Sequence, residues 1–147
     1  MKLIAHRGNL YGQDKELENS QMAIFKALDL GYDCEVDLWY LDKALYLGHD
    51  KPVHRTSFHF VKTNSKNLWC HAKNQEALEV LNDYDTNFFW HDTDKFTMTS
   101  KGDIWCYPSD KVYNFGINVM PEWNKHSIGD FKDVSGVCSD FITFYRS

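Results

Sequence analysis

Two acidic residues, Glu35 and Asp37, stand two positions apart inside the apolar run 33–39. Successive side chains alternate along an extended chain, so these two carboxylates leave the backbone on one side. Facing one way, they repel each other unless a cation lies between them, and paired hard oxygen donors suit Mg²⁺, Ca²⁺ or Mn²⁺. A solvated strand face would carry the same two residues, so the acidic pair acquires meaning only from its surroundings. His6 and His49 supply them. Hydrolysis of a phosphodiester needs one group to take a proton from the nucleophile and another to give one to the leaving oxygen; two imidazoles near neutrality divide that work. Arg7 follows His6 directly and offers forked donors to phosphate oxygens.

These residues must be brought to one place by the elements that carry them. Residues 2–7 read as a short apolar strand with Gly8 at the turn, which puts His6 at a strand's C-terminal end. A polar cap at Glu18-Asn19-Ser20 precedes Met22, Ala23, Phe25, Lys26, Ala27, Leu28 and Leu30, apolar at helical spacing until Gly31. The acidic strand 33–39 is followed by 43–47, the return arm of a hairpin closing at Gly48-His49-Asp50. Residues 67–73 form a third strand, and Asn74 caps a helix whose buried face is Ala77, Leu78, Val80 and Leu81. Four further strands fall at 87–91, 103–107, 115–120 and 136–142, with little helical periodicity between them. This order predicts an α/β fold: an abbreviated (β/α) TIM-like barrel, few helices in its second half, spanning 1–147 as a single domain. A standard barrel takes roughly 250 residues, so outer helices must be missing.

A formal charge of −5 argues against nucleic acid or an anionic membrane as partner, since both require a basic surface. The 43% hydrophobic and 16% aromatic content is ample for one buried core. Cys34, Cys70, Cys106 and Cys138 form no CxxC pair and are expected as free, mostly buried thiols at similar positions in successive units. No apolar stretch has the length of a signal-peptide core or an integral membrane segment, which predicts a cytoplasmic protein.

The ordered series Ile4-Ala5-His6-Arg7-Gly8, Glu18-Asn19-Ser20, Glu35-Val36-Asp37 and Gly48-His49-Asp50, with Arg55-Thr56 soon after, resembles the glycerophosphodiester phosphodiesterases. The resemblance covers roughly the first half of the chain. It implies a barrel of the phospholipase-C-like phosphodiesterase superfamily and one divalent metal ion, Mg²⁺, Ca²⁺ or Mn²⁺, held partly by Glu35 and Asp37. It implies His6 and His49 as the acid/base pair, Arg7 and Lys73 as phosphate ligands, and a small-molecule or lipid-derived phosphodiester as substrate. Where that family carries Glu-x-Lys on its third strand, this chain reads His71-Ala72-Lys73. His71 takes the place of the third metal ligand, which disfavours Mg²⁺ and Ca²⁺ relative to Mn²⁺ or Zn²⁺; alternatively it is a third acid/base group or a phosphate donor. Residues 136–142, ending in Ser139-Asp140-Phe141-Ile142, are similar to the family's closing strand. His91, Trp105 and Glu122, beside Tyr107 and Trp123, fall at strand ends and are candidate substrate contacts. A cap over the site can span no more than 51–66, which predicts an open pocket. Two other readings stay in play: a phospholipid phosphodiesterase of the sphingomyelinase D or phospholipase C type, and a non-catalytic phosphate-binding barrel.

Overall fold

The computed structural model describes residues 1–146. Its centre is a nine-residue strand, β2 (Asp33–Leu41), long enough to serve three neighbours. Its first half runs parallel between β1 (Lys2–His6) and β5 (Leu68–Ala72). Its last four residues pair antiparallel with β3 (Ala44–Leu47), which in turn pairs with β4 (His54–Thr56). The β2–β3 hairpin closes through Asp42 and Lys43, both at positive φ (49° and 63°), the two-residue turn whose twist matches that of the flanking strands. Beyond β5 lies β6 (Asn87–Phe89). On the other flank of β1 come β10 (Gly136–Ser139), β9 (Ile117–Val119), β8 (Ile104–Cys106) and an antiparallel edge, β7 (Phe96–Met98).

Helices sit where a cap and an apolar face coincide. Ser20, Ser57 and Asn74 each accept a backbone N–H with their side chains and start α1 (Gln21–Asp29), α2 (Phe58–Thr63) and α3 (Gln75–Leu81). α1 buries Ile24 and Ala27, and α3 buries Ala77 and Leu81, against the outward residues Cys34, Val36, Cys70 and Ala72 of the sheet. Met22, Phe25 and Leu30 of the expected apolar stripe instead remain exposed. The inner face is a smaller layer of Ile4, Trp69, Phe89, Trp105, Ile117 and Cys138. Cys138 thus points inward while Cys34 and Cys70 point outward, so their even spacing does not reflect equivalent positions; all four cysteines are buried and free.

The abbreviated (β/α) TIM-like barrel is not formed. The chain makes, among the described residues, a mixed sheet curled into a half-barrel, with three α-helices of nine, six and seven residues. Among the described residues no ladder joins β6 to β7 or β8. The difference lies in the second half: the chain after β6 turns back through the antiparallel β7–β8 pair, 107–116 joins β8 to β9 without a helix, and 120–135 joins β9 to β10 through two short 3-10 turns, so no α-helix of the described residues covers this part of the sheet. The open edge of β6 is satisfied another way. Ser100 donates its backbone N–H to the Phe88 carbonyl (2.8 Å) and accepts the Phe88 N–H on its Oγ (2.9 Å), while Thr97 Oγ1 donates to the Trp90 carbonyl (3.0 Å). The stretch 51–66 holds β4 and α2, both unforeseen, and β7 was likewise not expected. No helix among the described residues is long and apolar enough to cross a membrane.

The loop that presents His49 depends on Gly48. Its φ is +155°, and a Cβ there would fall on the Lys51 carbonyl and lie 3.1 Å from Val53 N. Trp39 Nε1 also donates to the Gly48 carbonyl at 2.6 Å, so the backbone has little freedom to give way. Gly48→Ala should therefore lower stability by about 2–3 kcal/mol, read as a shift of the urea midpoint at unchanged slope.

Candidate active site

The parallel register assembles the site at the C-terminal ends of β1, β2, β5 and β10. His6 lies opposite Glu35, and Asp37 opposite His71, so the four side chains share the concave face one layer above the inner apolar cluster. Glu35 and Asp37 are 2% and 1% exposed. They open into a cleft of about 350 Å³ lined by His6, Arg7, Glu35, Asp37, His49, His71, Lys73, His91 and Trp105, nine of the ten residues selected from the sequence. Glu122 stands outside it. Its Oε1 accepts from Ser139 Oγ (3.0 Å) and from the Asp140 backbone N–H (3.1 Å), so it acts on the cleft through Asp140.

His6 Nδ1 is 2.7 Å from Asp140 Oδ1, a carboxylate oxygen that can only accept; the proton is on Nδ1 and the Nε2 lone pair faces the cleft, 3.8 Å from Glu35 Oε2. Burial alone would lower the pKa of His6, but the Asp140 hydrogen bond and the Glu35 charge outweigh it and the pKa is raised. Burial likewise pushes Asp140 up, and the His6 hydrogen bond and charge, the Asn9 amide (2.8 Å) and Arg7 outweigh that, leaving its carboxyl below the ordinary range.

His49 has the opposite tautomer. Its Nδ1 lies 2.7 Å from Arg7 Nη2, and a guanidinium has no lone pair to accept with, so Nδ1 accepts and Nε2 carries the proton. Asp37 Oδ2 is also near that nitrogen, at 3.5 Å, but the shorter Arg7 contact decides its role. Arg7 itself, in the left-handed region at φ 54°, has two carboxylates beside it: Nη1 donates to Glu18 Oε1 (3.3 Å), and Nε, buried without a hydrogen-bond partner, is 3.1 Å from Asp37 Oδ2. The expected phosphate ligand thus lines the cleft and also positions His49 beside Asp37. Lys73 makes no side-chain hydrogen bond or ion pair among the described residues and is the available cation on the cleft wall.

The two buried carboxylates are driven apart in acidity. Burial, then the charge of Asp37, raises the Glu35 pKa. Asp37 is held well below the usual range: in their protonated forms His49 and His71 donate to it, and with the Arg7 charge they outweigh its burial. Asn19 clamps Asp37 from behind, donating Nδ2 to Oδ2 (2.9 Å) and accepting the Asp37 backbone N–H on Oδ1 (3.0 Å). Asp37 Oδ1 remains buried without a hydrogen-bond partner, 3.2 Å from His71 Nδ1. One ligand atom from each of Glu35, Asp37 and His71 lies within 4.8 Å of the others. Two carboxylate oxygens, one of them orphaned, and an imidazole nitrogen fit a single divalent ion.

The opposite wall is aromatic. His71 stacks on Phe89 and His91 on Tyr107, at 5.2 and 5.4 Å between centroids, and His91 Nε2 donates to the Asp94 carbonyl at 2.8 Å. Tyr107 and Trp123 complete this side, 44% and 64% exposed. Sequence reasoning missed the roles of Glu18, Asn19 and Asp140: the first two were read as a helix cap and the third as the end of a closing strand. All three nevertheless lay inside the motifs quoted for the resemblance. The chain matches no protein-family profile, no curated protein and no solved structure.

Proposed function

We propose that this cleft hydrolyses a phosphodiester, glycerophosphodiesters being the class that the sequence motifs imply, with a divalent ion at Glu35, Asp37 and His71. The observation that carries the reading is the pair of opposed tautomers: His6 turns a lone pair into the cleft and His49 retains an N–H on Nε2. One can take a proton from the nucleophile while the other gives one to the leaving oxygen, a division that a mere phosphate binder does not need. Asp140 stabilises the imidazolium that forms on His6, and Arg7 keeps His49 in its donating form. Lys73 meets the phosphate charge. A bound ion would supply charge neutralisation at the phosphoryl oxygens.

The test is turnover of bis(p-nitrophenyl) phosphate by the full chain. Activity should disappear with EDTA and return with a divalent ion; binding of glycerol phosphate without turnover under any divalent ion would replace the hydrolase by a phosphate-binding protein. The exposed Tyr107 and Trp123 favour a second reading, in which the alcohol carries an apolar body as in a lysophospholipid. Comparing a lysophospholipid with glycerophosphocholine separates the two, since only for the former should KM rise when Trp123 becomes Ala.

A further inference from the structure

We infer that the ion held by Glu35, Asp37 and His71 is a borderline transition-metal ion of the Zn²⁺ or Co²⁺ type, and that His71 is the residue that turns the site away from Mg²⁺ and Ca²⁺. This rests on the reading that the cleft binds a divalent ion, and it names the class of ion.

His71 Nε2 lies 3.0 Å from the His91 carbonyl oxygen. A carbonyl has no proton to give, so Nε2 carries the hydrogen and the neutral ring has its lone pair on Nδ1. That lone pair faces the acidic pair, 3.2 Å from Asp37 Oδ1 and 4.0 Å from Glu35 Oε1. Asp37 is 1% exposed, and its Oδ1 has no hydrogen-bond partner. With the ring neutral, three electron-rich atoms therefore converge on one buried point, a repulsive arrangement until a proton or a metal ion enters. The ring cannot easily turn away, because it is stacked on Phe89 at 12° and tethered through Nε2.

Tying the far nitrogen of a ligating histidine to a carbonyl is how metal sites fix tautomer and orientation. Mg²⁺ and Ca²⁺ take oxygen donors and gain little from imidazole, whereas Zn²⁺ and Co²⁺ take nitrogen and oxygen together, with Mn²⁺ between the two groups. A third carboxylate in place of His71 would restore an all-oxygen donor set. His71 is thus the one ligand of the three whose chemistry separates the two classes of ion.

The experiment is calorimetric titration of the full chain with Co²⁺, Zn²⁺, Mn²⁺, Mg²⁺ and Ca²⁺, together with the visible absorption of the Co²⁺ complex. Co²⁺ and Zn²⁺ should bind at least ~100-fold more tightly than Mg²⁺ or Ca²⁺, and His71→Glu should shrink that ratio by ~10–100-fold and alter the Co²⁺ band. Should His71→Glu fail to fold, competition on the unaltered chain decides: excess Mg²⁺ or Ca²⁺ must leave the Co²⁺ band in place. Equal affinities, displacement of Co²⁺ by Mg²⁺, or an unchanged ratio in a folded His71→Glu would overturn the inference. Selective binding without phosphodiester turnover would sink the proposed activity and leave the metal assignment standing. Turnover with Mg²⁺ and no preference would do the reverse, and failure of every ion to bind ends both.

Discussion

Glu35→Gln should abolish metal-dependent turnover yet leave the metal-free protein as stable as the parent or more so, while Asp37→Asn should abolish turnover and cost about 3–5 kcal/mol. The two carboxylates share a face, a register and nearly complete burial, but their partners differ. Asp37 answers Arg7 and Asn19, and His49 and His71 when these are protonated, so neutralising it leaves the Arg7 guanidinium only Glu18 as a carboxylate partner. Glu35 has weaker compensation: it accepts the Arg7 backbone N–H at 3.2 Å and otherwise faces His6 and His71 at 3.8 and 4.0 Å. Burial and Asp37 raise its pKa, which means that ionising it in the folded state opposes stability. The sign follows: between the unfolded value near 4.5 and the higher folded value, the folded protein holds the extra proton, so metal-free stability falls as pH rises through that window. Glu35→Gln should remove this fall. Urea titrations across pH, with and without metal, read both effects, and equal destabilisation by the two variants would refute the asymmetry.

Loss of the His6 lone pair should be the largest effect on chemistry itself. His6→Ala is expected to lower kcat by ~10²–10⁴ with metal affinity retained. Asp140→Asn should approach the same loss by a different route. An amide can donate to Nδ1, which would move the ring proton to Nε2 and remove the base from the cleft. It should also lower the pKa of His6 toward or below the ordinary 6.5, moving the acidic limb of the kcat/KM profile to lower pH. The dyad contributes to stability as well. The His6 share is complete below 6.5 and disappears as pH rises through its raised folded pKa; the Asp140 share is present above 3.8 and disappears as pH falls through its lowered one. Unaltered activity in His6→Ala, or a pH limb that does not move in Asp140→Asn, would remove His6 from the reaction.

The parts of this fold that could be read from the chain are those set by local chemistry. Ser20 and Asn74 announced α1 and α3 because a short oxygen-bearing side chain before an apolar repeat satisfies a free helix N–H whatever surrounds it. β1, β2 and β5 showed as apolar runs, and the two-residue spacing of Glu35 and Asp37 put them on one face through pleating alone. β4, α2 and β7 did not show, because elements of three to six residues contain too little periodicity to separate from loop. Closure was misjudged for a related reason. Whether a curled sheet becomes a barrel depends on which edges meet, a long-range matter that no single segment records; here β7 pairs locally with β8 and, among the described residues, no ladder joins either to β6.

For the site, the residues themselves offered two imidazoles and two carboxylates two apart, and the resemblance added a histidine where an acid was expected. What each does was decided only in three dimensions, because a role here is a matter of direction. Arg7 was read as a phosphate ligand and is engaged by Glu18, Asp37 and His49. Glu122 was read as a substrate contact and instead braces Asp140. The proton on each histidine is set by a partner distant in sequence: Asp140 for His6, Arg7 for His49 and the His91 carbonyl for His71. A hydrogen bond depends on where two atoms point once the sheet has curled, and that geometry exists only after folding.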